Sequence, residues 1–242
     1  MRIPRIFADL PLAQGDTVPL TPTRSHYLAN VLRLTSGNPI VVFDGKGGEY
    51  AATITSITKK RVFIDVGPPT NNHNESPLFT ELAIGVSKGE RMDWVVQKST
   101  ELGVNAIVPL LTERSEVKLS PERWEKKVAH WREVVISACE QCGRNQLPTL
   151  REPQPFARYI SVCNSDLKLI FHPGESNFNV TNFPQQNSVV LLIGPEGGFS
   201  EDEVAQAKSG GFDSWALGPR ILRTETAPIV ALSVLQSYFG DL

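Results

Sequence analysis

Three short segments carry residue types that ordinary connecting loops do not need: Phe171-His172-Pro173-Gly174, Gly194-Pro195-Glu196-Gly197-Gly198-Phe199, and the run from Gly218 to Ala227 (GPRILRTETA). In the second, three glycines and a proline within five residues make a tight turn whose bare backbone can come close to a ligand. It is neither a GxGxxG fingerprint nor a P-loop. Glu196 in its middle repels phosphate, so the loop suits a neutral or cationic ligand better than a nucleotide di- or triphosphate. The competing reading is a structural turn before a capped helix. In the third segment Ile221 and Leu222 are apolar among Arg220, Arg223, Glu225 and hydroxyls. They could wall a flat ring while Arg223 and Glu225 reach a reacting group. A salt-bridged loop under the last helix is the alternative there.

The elements that must position these segments follow from periodicity. Apolar runs at Leu82–Val86, Ala106–Leu111, Leu167–Phe171, Val189–Ile193 and Trp215–Leu217 predict strands. Helices are predicted between them, over Arg91–Leu102, 121–142, 200–208 and 226–239. Ser120-Pro121-Glu122 is a strong start signal, and Trp124, Val128, Trp131, Val135 and Ala138 or Cys139 recur at helical spacing up to Gly143. Ser200 with Glu203 forms a capping box. The alternation predicts an α/β domain with a largely parallel sheet, in which ligands bind outside the carboxyl ends of the strands. All three segments fall at such ends.

The first 70 residues differ. Short β-branched runs at Ile40–Phe43, Tyr50–Ile57 and Val62–Val66 alternate with turns such as 44–48 (DGKGG) and 59–61 (KKR), predicting a small barrel or sandwich. One helix is expected over His26–Leu32. Polar, proline-rich residues 67–77 read as a linker. The predicted boundaries are 1–70, a linker at 71–77, and 78–242.

The 242 residues are 40% hydrophobic and 21% charged, an ordinary globular composition. Apolar stretches such as 189–193 and 227–235 are far short of the roughly 20 residues that span a bilayer. The start MRIPRIFADL has no signal-peptide core. A cytoplasmic protein with no membrane partner is expected. Residues 1–70 hold 8 Lys/Arg against 5 Asp/Glu and the remainder 16 against 21, a mildly basic head on an acidic body. Cys139 and Cys142 form a CxxC, but Cys163 has no second pair, so no four-thiolate site assembles. His130 and His172 could complete a mixed site. Small buried cysteines on one helix face are the stronger reading, and no metal is expected.

LLIGPEGGFS (191–200) and LGPRILRTETA (217–227) closely resemble the knot-loop motifs of the SPOUT methyltransferases. Within them the chain resembles the bacterial family that methylates N3 of a uridine in small-subunit (16S) ribosomal RNA, the RsmE family. The resemblance extends to residues 87–115 and 138–148 and to Arg5-Ile6-Phe7, HYLANVLR (26–33) and VFDGKGGEY (42–50). It therefore covers essentially the whole chain. The one departure is Asn38, where an acid would be expected after Gly37.

The resemblance implies a small PUA-like β-barrel that binds RNA, followed by a SPOUT α/β domain with a C-terminal trefoil knot. It implies S-adenosylmethionine as cofactor, a homodimer as the active unit, and 16S ribosomal RNA, within the small ribosomal subunit, as substrate. The cofactor would rest on Phe171 and His172, on Gly194, Pro195, Glu196 and Gly197, and on Thr226 and Ala227. Leu217, Gly218, Ile221 and Leu222 would form an apolar slot for its adenine. Arg223 is the expected charge stabiliser and Glu225 a base or orienting group. Arg5, Arg33, Lys88, Arg91 and Arg114 are candidates for RNA phosphates. Methylation of another rRNA or tRNA base, and a non-catalytic ribosome-assembly factor, are the alternatives.

Overall fold

In the computed structural model, which describes residues 3–59 and 61–242, the β-branched runs near the N-terminus build a five-stranded sheet. Lys60 of the basic turn lies outside the described residues. The strands are β1 (Arg5–Phe7), β2 (Thr17–Pro19), β3 (Pro39–Phe43), β4 (Glu49–Ile57) and β5 (Val62–Pro69), in the order β1-β3-β4-β5-β2. All neighbours are antiparallel except β1 and β3. Their inward residues, among them Ile6, Ile40, Val42, Ile54 and Ile64, form one buried core. The expected helix over 26–32 starts earlier. Thr21 Oγ1 accepts from the Arg24 amide and Pro22 opens α1 (Pro22–His26), which runs on as a π-turn over Tyr27–Val31. A hydroxyl cap followed by proline is a stronger start than the apolar pattern about one turn later.

The second half alternates as its periodicity demands: β6 (Phe79–Gly85), α2 (Arg91–Glu101), β7 (Ala106–Leu111), α3 (Pro121–Cys142), β8 (Thr149–Leu150), β9 (Gln154–Pro155), α4 (Phe156–Val162), β10 (Leu167–Phe171), β11 (Ser188–Ile193), α5 (Glu201–Ser209), β12 (Asp213–Trp215) and α6 (Ala227–Phe239). The strands pair in parallel throughout, in the order β12-β10-β11-β6-β7-β8, with β9 alongside β7. β11 is apolar and buried from Val189 to Ile193, and β10 is apolar and buried apart from Lys168, the pattern of strands packed on both faces. The last strand lies at 213–215, two residues before its predicted place at 215–217.

Contacts divide the chain into two compact units. One takes the residues up to Glu75 together with Cys139–Leu147; the other takes Ser76–Ala138 and Pro148–Leu242. The end of α3 and the turn after it therefore belong to the first unit. There the Arg144 guanidinium, only 3% exposed, donates to Glu75 Oε2 from Nη2 (2.8 Å) and Nε (3.0 Å). Glu75 Oε1 accepts from the Asn145 and Gln146 amides. Arg5 pairs with Glu49 and donates to the Arg144 carbonyl at 3.0 Å. Cys139 is fully buried in this unit, and burial pushes its thiol up to about 12. No helix among the described residues is long and apolar enough to cross a membrane, and no described cluster of three His, Cys, Asp or Glu could hold a metal ion.

Candidate active site

In the second unit the chain order reverses across the β11/β6 neighbours, since later strands lie on one side of β6 and β7 on the other. Such a switch point opens a crevice at the carboxyl ends of the strands. A cavity of about 940 Å³ lies there, walled by the loops that follow β10, β11 and β12. The loop after β11 is shaped by its own sequence. Gly198 has φ +68 and donates to the Pro195 carbonyl at 2.8 Å, a turn that a side chain at 198 would strain. Ser200 and Glu203 then exchange reciprocal capping bonds and start α5. Thr224, buried in the third loop, donates through Oγ1 to the Gly194 carbonyl at 3.4 Å. That bond fastens the third loop to the second.

The structure brings nearly all the expected cofactor residues together. Phe171, His172, Gly194, Pro195, Glu196, Gly197, Leu217, Gly218, Ile221, Leu222 and Ala227 line the cavity, as do Arg223 and Glu225. Thr226 does not line it; it stands at the start of α6 without a side-chain capping bond. Ile221 is 84% exposed, at the mouth rather than in the floor. Phe171, which lines the cavity, belongs to an aromatic cluster with Phe178, Phe183 and Trp215, centroids 5.5–6.0 Å apart, in which every pair but the tilted Phe178–Phe183 meets edge to face. His172 Nδ1 is buried with no hydrogen-bond partner, an orphaned polar atom on a cavity-lining residue. A polar ligand would satisfy it.

Glu196 is not free to meet a ligand as an open charge. Its Oε1 accepts from Arg91 Nη1 at 2.6 Å and from the Lys88 amide at 3.0 Å. Burial pushes its carboxyl up, but its backbone hydrogen bond, the Arg91 side chain and the Lys88 amide outweigh burial and hold it below the ordinary carboxylate range. Arg91 Nε also lies 3.9 Å from Glu225 Oε2. One guanidinium thus joins the second loop to the third. By contrast, Arg223 makes no side-chain hydrogen bond or ion pair among the described residues, and its donors are available.

The phosphate candidates divide. Arg5 is taken by Glu49 and is nearly buried, and Arg91 is held by two carboxylates, so both already serve as internal ties. The sequence does not display partners so far along the chain. Lys88 pairs with Glu116, and Arg114 donates to the Gly197 carbonyl at 3.1 Å. Arg33, exposed with φ +53, is the least engaged of the five.

Glu175, Asn177, Ile193 and Ala216 line the cavity without being among the expected site residues, and a glycine outside the lining abuts its wall. Gly85 ends β6 directly against Pro195: a Cβ there would stand 2.3 Å from Pro195 Cδ. A glycine inside a strand pattern is the signal that marks such an approach.

Comparisons with known proteins agree with this architecture. The RNA methyltransferase domain family matches residues 74–236, and the RNA methyltransferase PUA domain family matches residues 20–67. Ribosomal RNA small subunit methyltransferase E of Buchnera aphidicola (Schizaphis graminum) is 37% identical over 100% of this chain and 98% of its own. That of Bacillus subtilis is 33% identical over 98% and 97%. The crystal structure of the Neisseria gonorrhoeae enzyme of the same name, bound to S-adenosyl methionine, superposes with a TM-score of 0.93 at 38% identity over the whole of both chains. A Legionella pneumophila protein solved with the bound cofactor SAM superposes at 0.96 with 44% identity, again over both whole chains. By sequence, domain order and fold, the chain belongs to the ribosomal RNA small subunit methyltransferase E family of RNA methyltransferases.

Proposed function

We propose that the chain uses S-adenosylmethionine to methylate N3 of a uridine in 16S ribosomal RNA. The observation that carries this reading is the cavity at the strand ends, which joins a ligand-sized apolar slot to an unengaged arginine and a carboxylate. It fits the cofactor: its walls carry no phosphate-binding loop, Glu196 is already balanced by Arg91, and the His172 Nδ1 orphan awaits a polar partner. Relatives solved with this cofactor support the assignment. When bound, the group supplies a methyl carried on a sulfonium.

The residues of the chain do the rest. Leu217, Gly218 and Leu222 form the apolar slot with Ile221 at its mouth, while Pro195 and the glycines around it close the opposite wall. Uracil N3 carries a proton at neutral pH. Glu225 accepts that proton, held in place by Arg91. Arg223 stabilises the negative charge that develops on the flanking ring oxygens, in a site where preorganised donors act strongly. Residues 1–70 form a PUA-like barrel that holds the RNA, with Arg33, Lys88 and Arg114 toward its phosphates. The segment from β11 through α6 forms the trefoil knot, consistent with the Thr224 tie to Gly194. The active unit is a homodimer in the cytoplasm, acting on RNA within the small ribosomal subunit.

The test is transfer from labelled S-adenosylmethionine to small ribosomal subunits taken from cells lacking this protein, followed by nucleoside digestion. Label in 3-methyluridine is expected. Label in another nucleoside would refute the acceptor, and absence of label would refute the enzymatic reading.

A further inference from the structure

A second, more open cavity of about 740 Å³ lies beside helix α2, lined by Lys88, Gly89, Glu90, Arg91, Trp94 and Glu225. It shares Arg91 and Glu225 with the cofactor cavity, so the two adjoin along that ion pair. Trp94 is 56% exposed, although large aromatic side chains usually bury most of their surface. Its neighbours restrain it. The Lys98 ammonium sits over the indole 5.7 Å from the centroid, and Glu101 holds Lys98 at 2.8 Å. A cation covers one face of the ring, which leaves the opposite face as a platform.

We infer that this cavity is the acceptor-base subsite, in which a nucleobase swung out of the RNA stacks on Trp94 with its reactive edge toward Glu225. Three features converge on a nucleobase. Stacking on an exposed aromatic ring is how unpaired RNA bases are held. An enzyme that modifies a base edge must draw that base out of its stack and needs a pocket for it. Lys88, its side chain 58% exposed at the same cavity, suits a ligand attached to phosphates. The geometry also gives Glu225 a single place to serve both partners, since it belongs to both cavities. This inference rests on the chain being an RNA methyltransferase.

Trp94→Ala and Trp94→Phe test it, because an exposed helix residue can be replaced without loss of core packing. With small subunits as substrate, W94A should lower kcat/KM for RNA by about 5- to 160-fold, the range that one base–aromatic stack supplies, while W94F keeps most of it. The Kd for S-adenosylmethionine, measured by calorimetry, should be unchanged in both. Oligouridylate should quench the intrinsic fluorescence of the unaltered chain, and W94F should lose that quenching. Equal kcat/KM in W94A and the unaltered chain overturns the inference alone. A changed sedimentation mass in W94A also overturns it, by assigning Trp94 to a contact between copies. No transfer by the unaltered chain overturns the functional reading and this inference with it.

Discussion

Replacing Gly85 by alanine isolates a single contact on which the cofactor cavity depends. Gly85 closes β6, pairs with Leu110 of β7, and is not among the residues of positive φ, so the substitution acts through volume alone. Its new methyl would stand 2.3 Å from Pro195 Cδ and 2.5 Å from Pro195 N, where ordinary contacts begin at 3.4 Å. The nitrogen is backbone, so no side-chain rotation relieves the clash; the peptide at 195 must retreat by about 1 Å. Overpacking of this kind costs about 1–3 kcal/mol. For a chain of this size that lowers Tm by about 2–12 °C. The same retreat moves Gly194 and Glu196, which line the cavity, and a 1 Å misplacement can reduce a rate by about 100-fold. Differential scanning calorimetry gives the first quantity, and titration with S-adenosylmethionine followed by single-turnover transfer gives the second. A G85A chain with unaltered Tm and unaltered cofactor Kd would refute the claim that β6 and the 194–198 loop are in hard contact.

Three further outcomes follow from individual side chains. Because the Glu196 carboxyl is held below 4.5, its ion pair with Arg91 is intact above that value and is lost as pH falls through the lower folded-state value. Cofactor affinity measured by titration should therefore drop in acid, and Glu196→Gln should be weaker at neutral pH but lack that acid limb. Gln236 is fully buried, accepts from Ser76 Oγ at 2.7 Å and donates to the Leu102 carbonyl at 3.0 Å. Gln236→Leu should cost about 1–3 kcal/mol in denaturant unfolding, since two part-buried groups, the Ser76 hydroxyl and the Leu102 carbonyl, lose their partner. Arg144→Met leaves the Glu75 carboxylate unpaired in a mostly buried place and should cost about 3–5 kcal/mol. Retained stability in that variant would show that the ion pair is not what holds 139–147 to its unit.

Local chemistry made most elements legible. The α3 pattern from Trp124 to Cys139 predicts its end at Cys142, where it stops, because a 22-residue amphipathic helix repeats its signal many times. β8 and β9 have two residues each, too few for any period to show. α4 escaped notice although Phe156, Tyr159 and Ile160 are buried at helical spacing, because seven residues barely complete two turns. The site loops stand out because glycine, proline and charge interrupt apolar strands. What no spacing discloses is partnership at a distance. Arg5 meets Glu49, 44 residues on, and Arg91 meets Glu196 and Glu225, so both look from sequence like free surface cations. The grouping of 139–147 with the first unit is hidden for the same reason: an uninterrupted helix carries no mark of where its contacts change hands.

The central claim is that methyl donor and acceptor meet at the loops after β10, β11 and β12, with Arg223 stabilising the charge that forms there. Its most direct test is Arg223→Ala, read by calorimetric titration of S-adenosylmethionine and by single-turnover methyl transfer to small ribosomal subunits. The account predicts a cofactor Kd within about twofold of the unaltered chain and a transfer rate lower by about 100-fold or more, the usual scale for removing one preorganised charge donor. An undiminished rate with undiminished cofactor binding would contradict it.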